Sequence, residues 1–168
     1  MNEDIEKYVK IMMEGKGYFT LPQLFSPNEI KEARDLIMNL SNQDRPKVTH
    51  FHGSHEDEVS LQRRVWNLIN KGEIFQKMVQ NPKIVEIASA FLGDEFILGS
   101  IAANRLLPGG PGQEPHIDYP YWDYYNKKSF PFALNPSFPL NMQVTILLDD
   151  FTENNGATAV LADSQKWG

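Results

Sequence analysis

The 168 residues contain no cysteine. Disulfides, thiolate nucleophiles, cysteine-based zinc sites and iron–sulfur clusters are therefore excluded. No apolar run approaches the roughly 18 residues needed to cross a bilayer as a helix. The acidic, polar start MNEDIEK is the reverse of a basic-then-apolar secretory signal, so a cytoplasmic location is expected. No block of Lys or Arg interrupts a net charge of −6. That argues against nucleic acid or an anionic membrane as partner, because both demand clustered cations, and leaves a small molecule or another protein. Histidine is scarce: there are four, His50, His52, His55 and His116, and no arginine follows Arg105.

What is present describes an ordinary globular chain, 41% hydrophobic and 23% charged. A chain this long buries roughly two-thirds of its unfolded surface in one core. A single domain over 1–168 is expected, helical over 1–93 and β-rich over 94–168.

Ile5, Tyr8, Val9, Met12 and Met13 recur at three- and four-residue steps, which predicts a helix from near Asn2 to Gly15–Gly17. GYFTLPQLF reads as a short extended piece. SPNEIKEARDLIMNL then opens a second helix with Ser26 as N-cap, Pro27 at the first helical position and Glu29 closing a capping box; Ile30, Ala33, Ile37 and Leu40 face inward. Residues 41–58 are polar and irregular, the pattern of a surface loop. Helix is expected again through Leu61, Val65, Leu68 and Ile69, and after Asn81-Pro82 through Ile84, Ile87, Ala88 and Phe91, to end at Gly93. FILGSIAANRLL, LNMQVTILLDDF and ATAVLA read as strands. Asn155-Gly156 between the last two is a hairpin signal, since a type I′ turn needs positive φ at both central residues. Helices first and strands second predict an α+β domain with helices on one side of a sheet or barrel.

The stretch EPHIDYP carries the most chemistry. If extended, His116 and Asp118 share one face, roughly 6.5 to 7 Å apart, with Ile117 turned away. Imidazole and carboxylate can then meet on one ion, each at about 2.1 Å. Nitrogen and oxygen donors without thiolate suit Fe(II), Mn(II) or Zn(II), and two histidines with one carboxylate form the facial triad of non-haem iron oxygenases. A surface histidine beside a loop aspartate produces the same three letters.

The segment NRLLPGGPGQEPHIDYPYW, followed by LNMQVTILLDDFTENNGATAVLADSQKWG, with GYFTLPQLFSPNEI near the start, resembles the phytanoyl-CoA dioxygenase family of Fe(II)- and 2-oxoglutarate-dependent oxygenases. The resemblance runs from about Gly17 to Gly168. It implies N-terminal helices packed on a double-stranded β-helix, or jelly-roll barrel, with His116 and Asp118 as two iron ligands and 2-oxoglutarate chelating the metal. It also implies hydroxylation of a small organic substrate, with succinate and carbon dioxide as coproducts. Halogenases of the family carry a small residue in place of the aspartate, so Asp118 favours hydroxylation. The family's third ligand is a later histidine, and a later arginine holds the distal carboxylate of the cosubstrate. Neither residue type follows Asp118. The expectation is a chain truncated at its C-terminus, with an incomplete barrel, inactive alone, and prone to form a homodimer through open sheet edges. A non-catalytic binding or self-assembly module is the alternative. HFHGSH, with His50, His52 and His55, reads as a polar loop rather than the source of the third ligand.

Alternation places Ser100, Ala102 and Asn104 on one face of their strand, and Gln143 with Thr145 on one face of theirs. These polar positions either line the barrel and hydrogen-bond 2-oxoglutarate or substrate, or face water. Tyr119, Tyr121 and Trp122 head an aromatic-rich loop directly after the ligand pair. They form either a substrate lid or anchors for the loop.

Overall fold

The computed structural model describes residues 3–43, 61–110, 112–113, 115–116 and 139–166. Among them are four α-helices: α1 (Glu3–Met13), α2 (Pro27–Gln43), α3 (Glu73–Val79) and α4 (Pro82–Leu92). A two-stranded antiparallel sheet is made by β1 (Gln62–Val65) and β2 (Ala103–Leu106), and short 3₁₀ turns span Leu68–Asn70 and Ser164–Lys166. The class is α+β.

The expected helix starts hold at the level of individual hydrogen bonds. At α2 the Ser26 hydroxyl accepts from the Glu29 amide at 3.3 Å and donates to the Glu29 carboxylate at 2.7 Å, while that carboxylate also accepts from the Ser26 amide at 2.8 Å. This is the reciprocal capping box read from the sequence. The two bonds to Ser26, hydroxyl first, hold the Glu29 carboxyl below the usual glutamate value. At α4 the Asn81 side chain accepts from the amides of Lys83 and Ile84 at 3.0 and 3.4 Å, with Pro82 in the first turn.

Two apolar clusters form the core. In the larger, Ala33 and Ile37 of α2, Val65 of β1, Leu68, and Ile74, Phe75 and Met78 of α3 are buried together, with Ile30, Leu40, Ala103, Ile146 and Leu148 packed on them. In the smaller, Ile5 and Met12 of α1 meet Ile87 of α4, flanked by Tyr8, Phe19 and Met142. α2 packs on one side of the β1–β2 ribbon, where Val65 and Ala103 join the larger cluster.

Several expectations fail. Residues 61–70, read as helix, form β1 and a 3₁₀ turn instead. Pairing with β2 sets Val65 opposite Ala103 and Gln62 opposite Leu106, and Asn67 takes a left-handed conformation at φ 56° that an α-helix cannot contain. Cross-strand packing overrides the local periodicity. FILGSIAANRLL contributes only Ala103–Leu106 as strand. The segment from Pro139 to Asp150 and ATAVLA have no regular strand, because an extended segment becomes one only when a neighbour supplies the ladder hydrogen bonds. Asn155-Gly156 is a turn, but only Gly156 has positive φ, 79°, so it is no type I′ hairpin. Residues 41–43, placed in the loop, complete α2; the rest of that loop lies outside the described residues. The two-stranded sheet is all that the described residues show of the expected barrel.

Candidate metal and cosubstrate site

The β1–β2 ribbon has two chemically distinct faces. Antiparallel register pairs Arg63 with Arg105 and Arg64 with Asn104, and directly opposed residues share a face. Arg63, Val65, Ala103 and Arg105 therefore face the helices, while Gln62, Arg64, Asn104 and Leu106 face away.

On the helix side, two guanidinium groups stand opposite one another, an arrangement that is repulsive by itself. Both reach the C-terminal turn of α2. Arg63 donates to the Ser41 carbonyl and to Asn42 Oδ1, each at 3.3 Å, and Arg105 donates to Ser41 Oγ at 3.1 Å and to Asn42 Oδ1 at 2.9 Å. Cations at a helix C-terminus are favoured by the partial negative charge of its carbonyl groups. This pair fastens the ribbon to α2 and is occupied in doing so.

On the far side, Gln62 is only 4% exposed, Arg64 is half-buried with a buried Nε, and Asn104 is exposed. The Arg64 guanidinium lies 5.2 Å from the centroid of the Trp66 ring, a cation–π contact. The ribbon continues past both ends through Leu107 N–H to Leu61 O at 2.8 Å and Leu68 N–H to Ile101 O at 3.1 Å. Gly156 packs against the Leu106 side chain, which a Cβ at this position would push aside, so the Asn155-Gly156 turn lies at the Leu106 end of the ribbon.

Along Met142 to Leu148 the alternation is interrupted at Val144, which is 46% exposed. Met142, Ile146 and Leu148 pack on the helical clusters, whereas Gln143 and Thr145 are exposed. Arg34 Nε to Asp149 Oδ1, 2.8 Å, ties the end of this segment to α2. Asn104, Gln143 and Thr145 are each exposed beside a residue packed toward the helices. His116 is exposed. Asp118, Tyr119, Tyr121 and Trp122 lie outside the described residues, as do His50, His52 and His55. Among the described residues no three His, Asp or Glu side chains gather into a metal-holding group. An accessible imidazole, a carboxylate two residues on and a chain without thiolates match the donor chemistry of a non-haem iron centre.

Sequence reasoning passed over Gln62 and Arg64 because their segment was read as helix. The signal that would have found them is a period of two in QRRV: as a strand, it puts Gln62 and Arg64 on one face and Arg63 and Val65 on the other.

The chain is 26% identical over 160 residues to an L-proline trans-4-hydroxylase of Streptomyces griseoviridis, covering 95% of this chain and 55% of that protein. It is 26% identical over 171 residues to dioxygenase ALT11 of Alternaria alternata, covering 92% and 52%. It is 26% identical over 156 residues to a probable alpha-ketoglutarate-dependent hypophosphite dioxygenase of Stutzerimonas stutzeri, covering 90% and 50%. The chain spans about half the length of these curated relatives. No solved structure matches it. The phytanoyl-CoA dioxygenase (PhyH) family model matches residues 13–168, nearly the whole chain, and the chain belongs to that family.

Proposed function

We propose that this chain carries part of an Fe(II)- and 2-oxoglutarate-dependent dioxygenase site, in which His116 and Asp118 are two of the iron ligands. The observation that carries the reading is the His-x-Asp pair inside a family match that runs from residue 13 to residue 168. When bound, iron and 2-oxoglutarate supply oxygen activation: one oxygen atom enters a C–H bond of the substrate as hydroxyl, the other enters succinate, and carbon dioxide leaves. The protein's contribution is ligand geometry, orientation of the cosubstrate and exclusion of water. Residues 1–168 act as one folding unit whose β elements belong to a jelly-roll barrel, with Asn104, Gln143 and Thr145 hydrogen-bonding cosubstrate or substrate from its inner face. Tyr119, Tyr121 and Trp122 wall the substrate pocket.

The substrate in this reading is small. Relatives are named for L-proline and for hypophosphite, both of which carry an anionic oxygen group near neutral pH. Two protein donors without a second histidine bind iron weakly, and without an arginine clamp the distal carboxylate of the cosubstrate loses its bidentate partner. The 168-residue chain by itself is expected to turn over slowly or not at all.

Anaerobic titration with Fe(II) and 2-oxoglutarate tests the proposal. The expected result is the visible charge-transfer band of the iron–oxoglutarate chelate, lost in His116→Ala and in Asp118→Ala. No band at millimolar ligand, or an undiminished band in both variants, would sink it for this chain.

One observation favours a second reading, self-assembly. Leu140, Val144, Leu147, Phe151, Val160 and Leu161 are between 42% and 61% exposed on segments that form no regular strand, the condition in which a second chain adds strands. Light scattering that gives a monomer mass at high micromolar concentration would remove it.

A further inference from the structure

The turn at Asn155-Gly156 holds a reactive pair in solvent. Nowhere else in the sequence does glycine follow asparagine, and both residues are exposed. Because glycine has no Cβ, nothing on its own side chain shields its amide nitrogen from the carboxamide of the residue before it. That nitrogen and Asn155 Cγ are separated by the atoms of one succinimide ring. The folded turn restrains the carboxamide at both its atoms. Asn155 Oδ1 accepts from the Thr152 amide at 2.8 Å, and Asn155 Nδ2 donates to the Asp150 carbonyl. The Asn155 amide adds a bond to the Thr152 carbonyl at 3.2 Å. Gly156, at φ 79°, packs against the Leu106 side chain, which fixes the other half of the pair. The carboxamide is thus tied to residues that precede it, while its attacker follows it.

We infer that Asn155-Gly156 is a self-modifying site, a deamidation centre whose rate is set by the opening of this turn. Once the two carboxamide bonds open, the Gly156 amide nitrogen loses its proton and attacks Asn155 Cγ. The N–Cγ bond forms, the Cγ–Nδ2 bond breaks, and Nδ2 takes up protons and leaves as ammonia. Water then opens the succinimide at either carbonyl, giving isoaspartate or aspartate; nothing is oxidised or reduced. The product cannot rebuild the turn, because a carboxylate accepts hydrogen bonds and has none to donate to the Asp150 carbonyl. Isoaspartate also inserts an extra carbon into the main chain beside Leu106. The new charge joins Asp149, Asp150 and Glu153, and the groove that Asp150, Phe151 and Thr152 form with Ile30 loses the bonds that hold one of its ends.

The test incubates the whole chain at mildly alkaline pH, folded in buffer and unfolded in guanidinium chloride, with samples taken over days. Peptide mass mapping follows the gain of an amide-to-acid conversion at each asparagine, and isoaspartyl methyltransferase labels the isoaspartate. Residue 155 is expected to convert ahead of every other asparagine in the folded chain and to carry the isoaspartate label. The folded chain converts about fivefold more slowly than the unfolded one, the population cost of opening two exposed hydrogen bonds. Asn155→Gln, whose side chain is one carbon too long to close the same ring, removes the leading site in both states. The inference is overturned by no conversion at residue 155 in the folded chain once the unfolded chain has converted, by faster conversion at another asparagine, or by the same mass gain in Asn155→Gln. A folded rate equal to or above the unfolded one also overturns it, because the turn would then exert no control.

Discussion

Gln165 and Gly17 offer a stability test whose sign follows from the geometry. The Gln165 side-chain amide donates to the carbonyls of Met12 at 3.2 Å and Gly15 at 2.9 Å, satisfying acceptors that the end of α1 leaves open. The Asp163 amide donates to the Lys16 carbonyl at 3.1 Å, so the Ser164–Lys166 turn is stitched to the first helix. Gly17 has φ 86°, and a Cβ there would lie 2.5 Å from Gln165 Oε1. Gln165 is exposed, so losing both bonds in Gln165→Ala is expected to cost about 1 kcal/mol, the low end for two hydrogen bonds. Gly17→Ala adds left-handed strain of about 1 kcal/mol and, by pushing the amide away, forfeits the same bonds, for a total of about 2 kcal/mol. The double variant pays the strain and loses the bonds once. It should also cost about 2 kcal/mol rather than the additive 3, a coupling of about 1 kcal/mol. Urea unfolding reads this directly: at a slope of about 2 kcal/mol/M, the midpoint falls by about 0.5 M in Gln165→Ala and about 1 M in both Gly17→Ala and the double variant. A double variant lower than Gly17→Ala by a further 0.5 M or so would show that the two residues do not touch and refute the docking of this turn on α1.

Two further outcomes follow from the capping box and the core. Ser26→Ala should cost about 1 kcal/mol at neutral pH. Because Ser26 holds the Glu29 carboxyl below its ordinary value, the unfolded chain binds the proton first as pH drops: the box stabilises fully above the ordinary glutamate value and loses its contribution as pH falls through the lowered one. The melting difference between wild type and Ser26→Ala should therefore shrink on acidification, and a difference that grows would contradict the assignment. Phe75, 1% exposed within the larger cluster, should cost about 3–5 kcal/mol on truncation to alanine. That is a large share of a typical stability of about 5–15 kcal/mol, and a circular-dichroism melt lowered by only a degree or two would mean that the cluster is not the core.

The sequence by itself determined the elements whose cause is local. α1, α2 and α4 sit where three- and four-residue periodicity and their caps put them. The capping box at Ser26 and Glu29, the Asn81-Pro82 start and the Gly93 stop are each made by residues within a few positions of one another. The family resemblance was legible for the same reason, since the turn residues and the His-x-Asp pair lie close together in the chain. Only the tertiary structure decided that 62–65 is a strand, because its hydrogen-bond partner is some forty positions away in β2, and helical periodicity in Leu61, Val65 and Leu68 points the other way. That one change of period redistributes the arginines. Arg63 and Arg105 go to the end of α2, and Arg64 goes to the far face beside Asn104, an asymmetry that three consecutive letters, QRR, cannot express until a second strand fixes which side faces the helices.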